Sequence, residues 1–192
     1  MSNKLFLVLA LITVLIFGWV ILSKDSTQNE TTKTKLSLSD MVGKPALDFS
    51  LTNQKGQTFT LSELRGSKVV LFFNEGIMCY PACWNQMAAL GTDKRLNNSD
   101  VVSMSIVTDE LSEWGSAFKK MPELNEGNIL FDADKTVSNQ YGMLTAESSM
   151  HRGSMPGHTY IILDQKSIVR YTLDDPKMGI QNETLINELA KI

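Results

Sequence analysis

Two cysteines, the only ones in the chain, stand four residues apart in Phe72-Phe73-Asn74-Glu75-Gly76-Ile77-Met78-Cys79-Tyr80-Pro81-Ala82-Cys83-Trp84. A disulfide framework needs more bridges over wider spans, and closing so short a loop removes little chain entropy. The pair therefore points to chemistry, either thiol–disulfide exchange or thiolate ligation of a soft metal. The apolar run before the pair suits a strand buried on both faces, and a helix starts near Pro81, a residue tolerated in a first turn. At the amino end of that helix, free N–H groups and the helix dipole favour a thiolate on Cys79 and can bring a cysteine pKa to about 3.5–7.5. Cys83 lies one turn on, on the same face, with Cα atoms about 6 Å apart by helix rise. That is near the upper part of the disulfide range, so a bond needs a distorted first turn, which Pro81 favours. Two unconnected buried thiols is the competing reading, and the isolation of the pair in a strand-to-helix loop speaks against it.

The elements that position this loop are legible in outline. Gly56 marks a turn between Phe49–Leu51 and Thr58–Thr60, a hairpin, and Ser62–Leu64 reads as a short helical turn. Val69–Phe73 and Val101–Val107 read as central strands, with a helix from Pro81 past Leu90 between them. Leu111–Lys120 follows as a helix, with Ser112 or Asp109 as its cap. Ile129–Phe131 is a short strand and Lys135–Tyr141 a helix ended by Gly142. Thr159–Leu163 and Ser167–Thr172 form a hairpin around Asp164-Gln165-Lys166, and Glu183–Ile192 is a closing helix. Strands alternating with helices argue an α/β sandwich around a mixed sheet.

The amino terminus has a different character. Leu5–Leu22 carries no charge, and eighteen residues at helical rise span about 27 Å, close to the hydrocarbon thickness of a bilayer. Trp19-Val20-Ile21-Leu22 is bulky and offers no cleavage site, so the segment reads as an uncleaved anchor over residues 1–23 rather than a cleaved signal. Residues 24–40, rich in Ser, Thr, Lys and Asn, read as a polar tether, and 41–192 as one domain. The expected arrangement leaves the amino terminus cytoplasmic and the domain extracytoplasmic, where disulfide exchange is useful. Hydrophobic content of 43% and charged content of 20% are ordinary for a folded domain. A net charge of −3 with no basic block argues against nucleic acid as a partner.

From about Met41 to the carboxyl end, the chain resembles the AhpC/TSA–redoxin and TlpA-like branch of the thioredoxin superfamily. Val42-Gly43-Lys44-Pro45-Ala46-Leu47-Asp48-Phe49-Ser50-Leu51 looks like that branch's opening strand, and Gly56-Gln57-Thr58-Phe59-Thr60-Leu61-Ser62-Glu63-Leu64-Arg65-Gly66 like its next hallmark. The resemblance implies a thioredoxin-like sandwich, a central mixed sheet flanked by helices, preceded here by one transmembrane helix. Aligning the strands places Cys79 on the nucleophilic cysteine and Cys83 on the resolving one. The sequence departs by one residue, having Cys-x-x-x-Cys where TlpA-like proteins have Cys-x-x-Cys. The peroxiredoxin pattern Pro-x-x-x-Thr/Ser-x-x-Cys is absent, since Phe72 and Gly76 hold those positions before Cys79 and Gly76 and Tyr80 hold them before Cys83.

The resemblance also gives His158 a place. A cis-proline stands before the equivalent late strand in thioredoxin-like proteins and faces the cysteine loop. Either Pro156 is that cis-proline or His158 replaces it, and both cases bring His158 towards Cys79. There it stabilises a thiolate or serves as a ligand. His151 reads as a solvated loop residue. The leading expectation is an extracytoplasmic thiol–disulfide oxidoreductase without a cofactor, exchanging with a protein or small-molecule thiol or disulfide. The alternatives are a copper(I) site of Cys79, Cys83 and His158, similar to Sco-family copper chaperones, and a peroxiredoxin-type peroxidase. Trp84 after Cys83 departs from the Sco pattern.

Overall fold

The computed structural model describes residues 38–192. The expected membrane anchor and most of the polar tether lie outside the described residues. Among the described residues, no helix is long and apolar enough to cross a membrane.

After a short helix α1 (Leu38–Met41), seven strands form one mixed sheet: β1 (Ser50–Asn53), β2 (Thr58–Thr60), β3 (Lys68–Phe73), β4 (Val101–Val107), β5 (Ile129–Phe131), β6 (Thr159–Leu163) and β7 (Val169–Asp174). Their order is β2-β1-β5-β4-β3-β6-β7. The three central strands β5, β4 and β3 run parallel, and the pairs outside them are antiparallel. Parallel neighbours need crossovers, and helices supply them: α2 (Ala82–Thr92) joins β3 to β4, and α3 (Gly115–Lys120) lies between β4 and β5. α4 (Thr136–Gln140) and α5 (Asn182–Leu189) complete the α-helices among the described residues.

The continuous apolar run of β3 has the cause expected for it. Val70 and Phe72 enter one core with Trp84, Met87, Trp114, Tyr160 and Leu185. Val69, Leu71 and Phe73 enter another with Met104, Ile106, Tyr141 and Ile161. Alternate residues thus serve opposite faces, and a strand covered on both sides has no polar positions to spare. The two cysteines belong to the first core, at the amino end of α2.

Several expectations shift in detail. The segment at Leu111 opens as a 3-10 turn over Leu111–Trp114 before α3 begins. Its cap is a capping box of Glu110 and Glu113, not Ser112 or Asp109. Asp109 is instead buried, taken up by the cysteine loop described below. The closing helix ends at Leu189 and not at the terminus. The hairpin and its Gly56 turn, at φ 76°, are as expected.

Gly91 in α2 meets Gly127 backbone to backbone, and a Cβ on Gly91 would fall inside the contact radius of the Gly127 nitrogen. Gly91→Ala should therefore overpack the helix and lower stability by about 1–3 kcal/mol. Gly115→Ala, in open space at the start of α3, should be neutral or stabilising by several tenths of a kcal/mol. Denaturant midpoints of the two variants check this, and equal midpoints would contradict the close approach.

Candidate functional site

The β3–β6 pairing builds the site. Phe72 lies opposite Tyr160 and Phe73 opposite Thr159, so the chain leaving β3 into the cysteine loop passes His158 as it enters β6. On the other side of β6, Thr159 pairs with Asp174, and the Asp175 N–H donates to the His158 carbonyl at 2.9 Å.

The loop itself is held by side chains. Asn74 is fully buried, and its Oδ1 accepts from the Gly76 N–H at 2.9 Å. Gly76 has φ 60°, and the Asp109 carboxylate sits where its side chain would be. That carboxylate accepts from the Ile77 N–H at 3.0 Å and the Trp114 indole N–H at 3.2 Å. Burial raises the Asp109 pKa, while these hydrogen bonds act the other way. After a 3-10 turn over Gly76–Met78 comes Cys79, and α2 begins at Ala82. Cys79 therefore stands before the helix rather than in its first turn, though its carbonyl accepts from the Cys83 N–H at 2.9 Å. The Tyr80–Pro81 bond is cis, and it is the only cis bond among the described residues.

Cys79 and Cys83 are joined as a disulfide with Cα atoms 5.3 Å apart. Both are buried, Cys79 at 4% exposure and Cys83 at 0%, beside the half-exposed or exposed Met78 and Tyr80. His158 is completely buried. Its Nδ1 lies 3.6 Å from the Cys83 sulfur, and its Nε2 lies 2.8 Å from the Tyr160 hydroxyl. The histidine expected near Cys79 lies within 4.8 Å of both sulfurs and is in contact with Cys83. Cys79 Sγ instead lies 3.9 Å from the Met178 thioether. Pro156 is not the cis residue of this site, because the bond before it is trans. His158 occupies the position facing the loop.

Desolvation pushes the His158 pKa down to about 4, against the pull of Asp175, the Gly179 backbone, Asp174 and Glu75. The imidazole is therefore neutral near pH 7. Burial pushes the Tyr160 phenol up, with Asp175 adding to the shift. Burial would raise Asp175 as well, but hydrogen bonds from Gln181, Gly179 and Lys177 outweigh it and keep the carboxyl below its usual value. One sulfur of each cysteine and one His158 nitrogen lie within 4.8 Å of one another. This donor set is of the kind copper(I) takes, and it requires the pair to be reduced first, since both sulfurs are bonded to each other here.

Three participants escape the sequence reading. Glu75 is 2% exposed, and its Oε1 accepts from the N–H groups of Met150, at 2.5 Å, and His151, at 3.1 Å. The His151 ring Nδ1 lies 3.4 Å from the other carboxylate oxygen, so His151 is not simply a solvated loop residue. Tyr160 and Met178 are the other two. Tyr160 had a readable signal: it is two residues after His158 at the edge of a strand, where side chains i and i+2 share a face. Glu75 and Met178 carried none beyond a charge and a thioether in loops.

The His158 shift fixes a pH dependence. In the unfolded chain a histidine takes up its proton near pH 6.5, and in the fold near 4. Between these values the unfolded chain holds more protons, so stability is fully present above about pH 6.5 and is lost as pH falls through about 4. The loss is on the order of 3 kcal/mol. Unfolding free energy should therefore fall more steeply between pH 6.5 and 4 for the parent than for His158→Leu. Parallel profiles would contradict the buried neutral imidazole.

Comparison with known proteins identifies the family. The sequence pattern of the AhpC/TSA family matches residues 42–172. Peroxiredoxin Bcp of Escherichia coli (strain K12) is 26% identical over 157 residues, covering 78% of this chain and 95% of that protein. The chloroplastic peroxiredoxin Q of Triticum aestivum is 28% identical over 146 residues, 76% of this chain and 63% of that protein. Among solved structures, peroxidoxin BcpB from Mycobacterium tuberculosis aligns with a TM-score of 0.62 at 22% identity, covering 79% of this chain and 97% of that one. A putative protein disulfide isomerase from Bacteroides thetaiotaomicron aligns at 0.59 and 19% identity, over 78% and 88%. The fold is thioredoxin-like, and the chain belongs to the AhpC/TSA family, with Cys79 and Cys83 joined as a disulfide.

Proposed function

We propose that this chain is a thiol–disulfide oxidoreductase that cycles Cys79 and Cys83 between dithiol and disulfide. Cys79 is the sulfur that exchanges with a partner, and Cys83 is the one that resolves the mixed disulfide. The observation that carries the reading is the closed Cys79–Cys83 bond at the strand-to-helix junction, with His158 against Cys83. So short a link stabilises the fold little, which leaves exchange as its use. Met78 and Tyr80, 60% and 50% exposed, flank Cys79 in sequence and give a partner apolar surface to meet. The partner is a protein or small-molecule thiol or disulfide. In this reading Leu5–Leu22 anchors the chain and holds the domain outside the cytoplasm, where disulfides persist.

Peroxide as the oxidant is the second reading, and the likeness to peroxiredoxin Bcp and peroxiredoxin Q favours it. Cys79 thiolate would take the distal oxygen to form a sulfenic acid and release an alcohol or water. Cys83 would then condense with it, releasing water and closing the disulfide. Against this reading, Phe72 and Gly76 stand where the peroxiredoxin pattern has its proline and the hydroxyl residue that helps to polarise a peroxide. Arg95, Arg152 and Arg170 are occupied by Asp93 and Glu183, the Glu147 carbonyl and Asp164.

Reduced parent chain should reduce a protein disulfide such as insulin, and Cys79→Ser should abolish this. Cys83→Ser should accumulate a mixed disulfide on Cys79, visible by mass spectrometry. Peroxide consumption, followed in parallel, should be slower than disulfide exchange by about tenfold or more, a barrier difference of at least about 1.4 kcal/mol. Faster peroxide turnover than disulfide exchange would replace the first reading with the second.

A further inference from the structure

We propose that the Met178 side chain is a lid over Cys79 that selects the partner: a cysteine flanked by apolar residues displaces it, and one flanked by polar residues does not. The proposal rests on the exchange reading above and narrows the partner to apolar protein or peptide segments.

The lid sits where two loops meet. Cys79 is 4% exposed although its neighbours Met78 and Tyr80 are exposed, so the sulfur lies just beneath the surface. The Met178 thioether is 3.9 Å from that sulfur, in van der Waals contact, and Met178 is half-buried against the core that holds both cysteines. The backbone around Met178 is pinned. The Asp175 carboxylate accepts from the Lys177 N–H at 3.0 Å, the Gly179 N–H at 3.0 Å and the Gln181 side-chain amide at 2.7 Å. The Met178 N–H donates to the Asp175 carbonyl, and the Gln181 N–H donates to the Gln86 side chain on α2. The Asp175 N–H is bonded to the His158 carbonyl, and the Gly179 backbone is hydrogen-bonded to His158 as well. With the backbone held, the rotatable bonds of the methionine side chain are what can open the way to Cys79.

Met178 also holds φ at 50°, in the left-handed region that glycine and asparagine take at least cost. The other two non-glycine residues with positive φ among the described residues, Lys135 and Ser167, are polar. A bulky apolar side chain kept in a costly conformation calls for a use, and covering Cys79 is the use its contact shows. The cover selects by what replaces it. When Met178 swings off Cys79, apolar surface meets water. Met78 and Tyr80 from one loop and Ile180 from the other are already exposed beside the pair in sequence. An apolar side chain next to the partner's cysteine covers the surface that Met178 leaves, whereas a polar one leaves it wet. The difference is the burial of about one apolar side chain, worth about tenfold or more in rate. With the lid aside, the partner thiolate bonds to Cys79 Sγ and the electron pair of the internal disulfide leaves on Cys83.

The test uses the oxidised full chain and two uncharged pentapeptides that differ only in carrying leucine or serine on either side of a single cysteine. Disulfide opening is followed by acid quenching and mass spectrometry of the mixed disulfide. The parent should open about tenfold faster with the leucine peptide. Met178→Gly suits the φ of this position and removes the side chain. It should raise the rate with the serine peptide about tenfold and change the leucine rate by less than about threefold, so that the preference is lost. Met178→Leu restores an apolar cover without a thioether and should keep the parent's preference. Equal parent rates for the two peptides, or a Met178→Gly variant that keeps the preference, would overturn the lid. The parent comparison decides the question even where a variant fails to fold. If neither peptide opens the disulfide of the parent or of Met178→Gly, the exchange reading itself fails, whereas opening without preference removes the selection alone.

Discussion

The antiparallel pairing of β3 with β6 is the constraint on which the rest of the site depends. Its register sets Phe73 against Thr159, and from that one alignment the cysteine loop and His158 meet where both leave the sheet. A slip of one residue would turn every side chain of β6 to the opposite face. Tyr160 would then leave the core that holds the cysteines, and His158 would turn away from Cys83. The burial of β3 on both faces makes such a slip costly, because Val69 to Phe73 have apolar neighbours on both sides.

Around this pairing lies a set of buried polar groups that replace regular secondary structure where the backbone turns. Asn74 and Asp109 accept from backbone N–H groups of the cysteine loop, and Glu75 accepts from those of the loop at Met150 and His151. Unpaired, those N–H groups would carry the desolvation penalty of a buried donor. Asp109 comes from just beyond β4 and Glu75 reaches the loop at Ser149–His151, so two segments distant in sequence are tied to one short stretch. The cysteines are presented by a scaffold in which these loop N–H groups are already paired. A reacting sulfur held this way keeps its geometry through repeated opening and closing.

Much of this was readable in the sequence, and for physical reasons. The buried central strands announce themselves as unbroken apolar runs, and the hairpins through Gly56 and through Asp164-Gln165-Lys166 by turn residues. The cysteine pair was legible from its spacing and isolation. The position of His158 came only through the resemblance to thioredoxin-like proteins, since a lone histidine before a strand has no signature. That it is in contact with Cys83 depends on the loop path, which places Cys79 before α2 instead of within it. Asp109, like Ser112, reads as a helix cap because such a residue before a helical run usually is one. Its capture by the Ile77 and Trp114 N–H groups depends on long-range packing that local sequence does not encode.

The central claim is that Cys79 is the exchanging sulfur and Cys83 the buried resolving one. The most direct measurement is rapid acid quenching of the reduced parent chain mixed with limiting oxidised glutathione, followed by peptide mapping of the glutathionylated cysteine. The account predicts glutathione on Cys79 at the earliest times, decaying as the Cys79–Cys83 bond forms. Glutathione found first on Cys83, or persisting without closure of the internal disulfide, would contradict it.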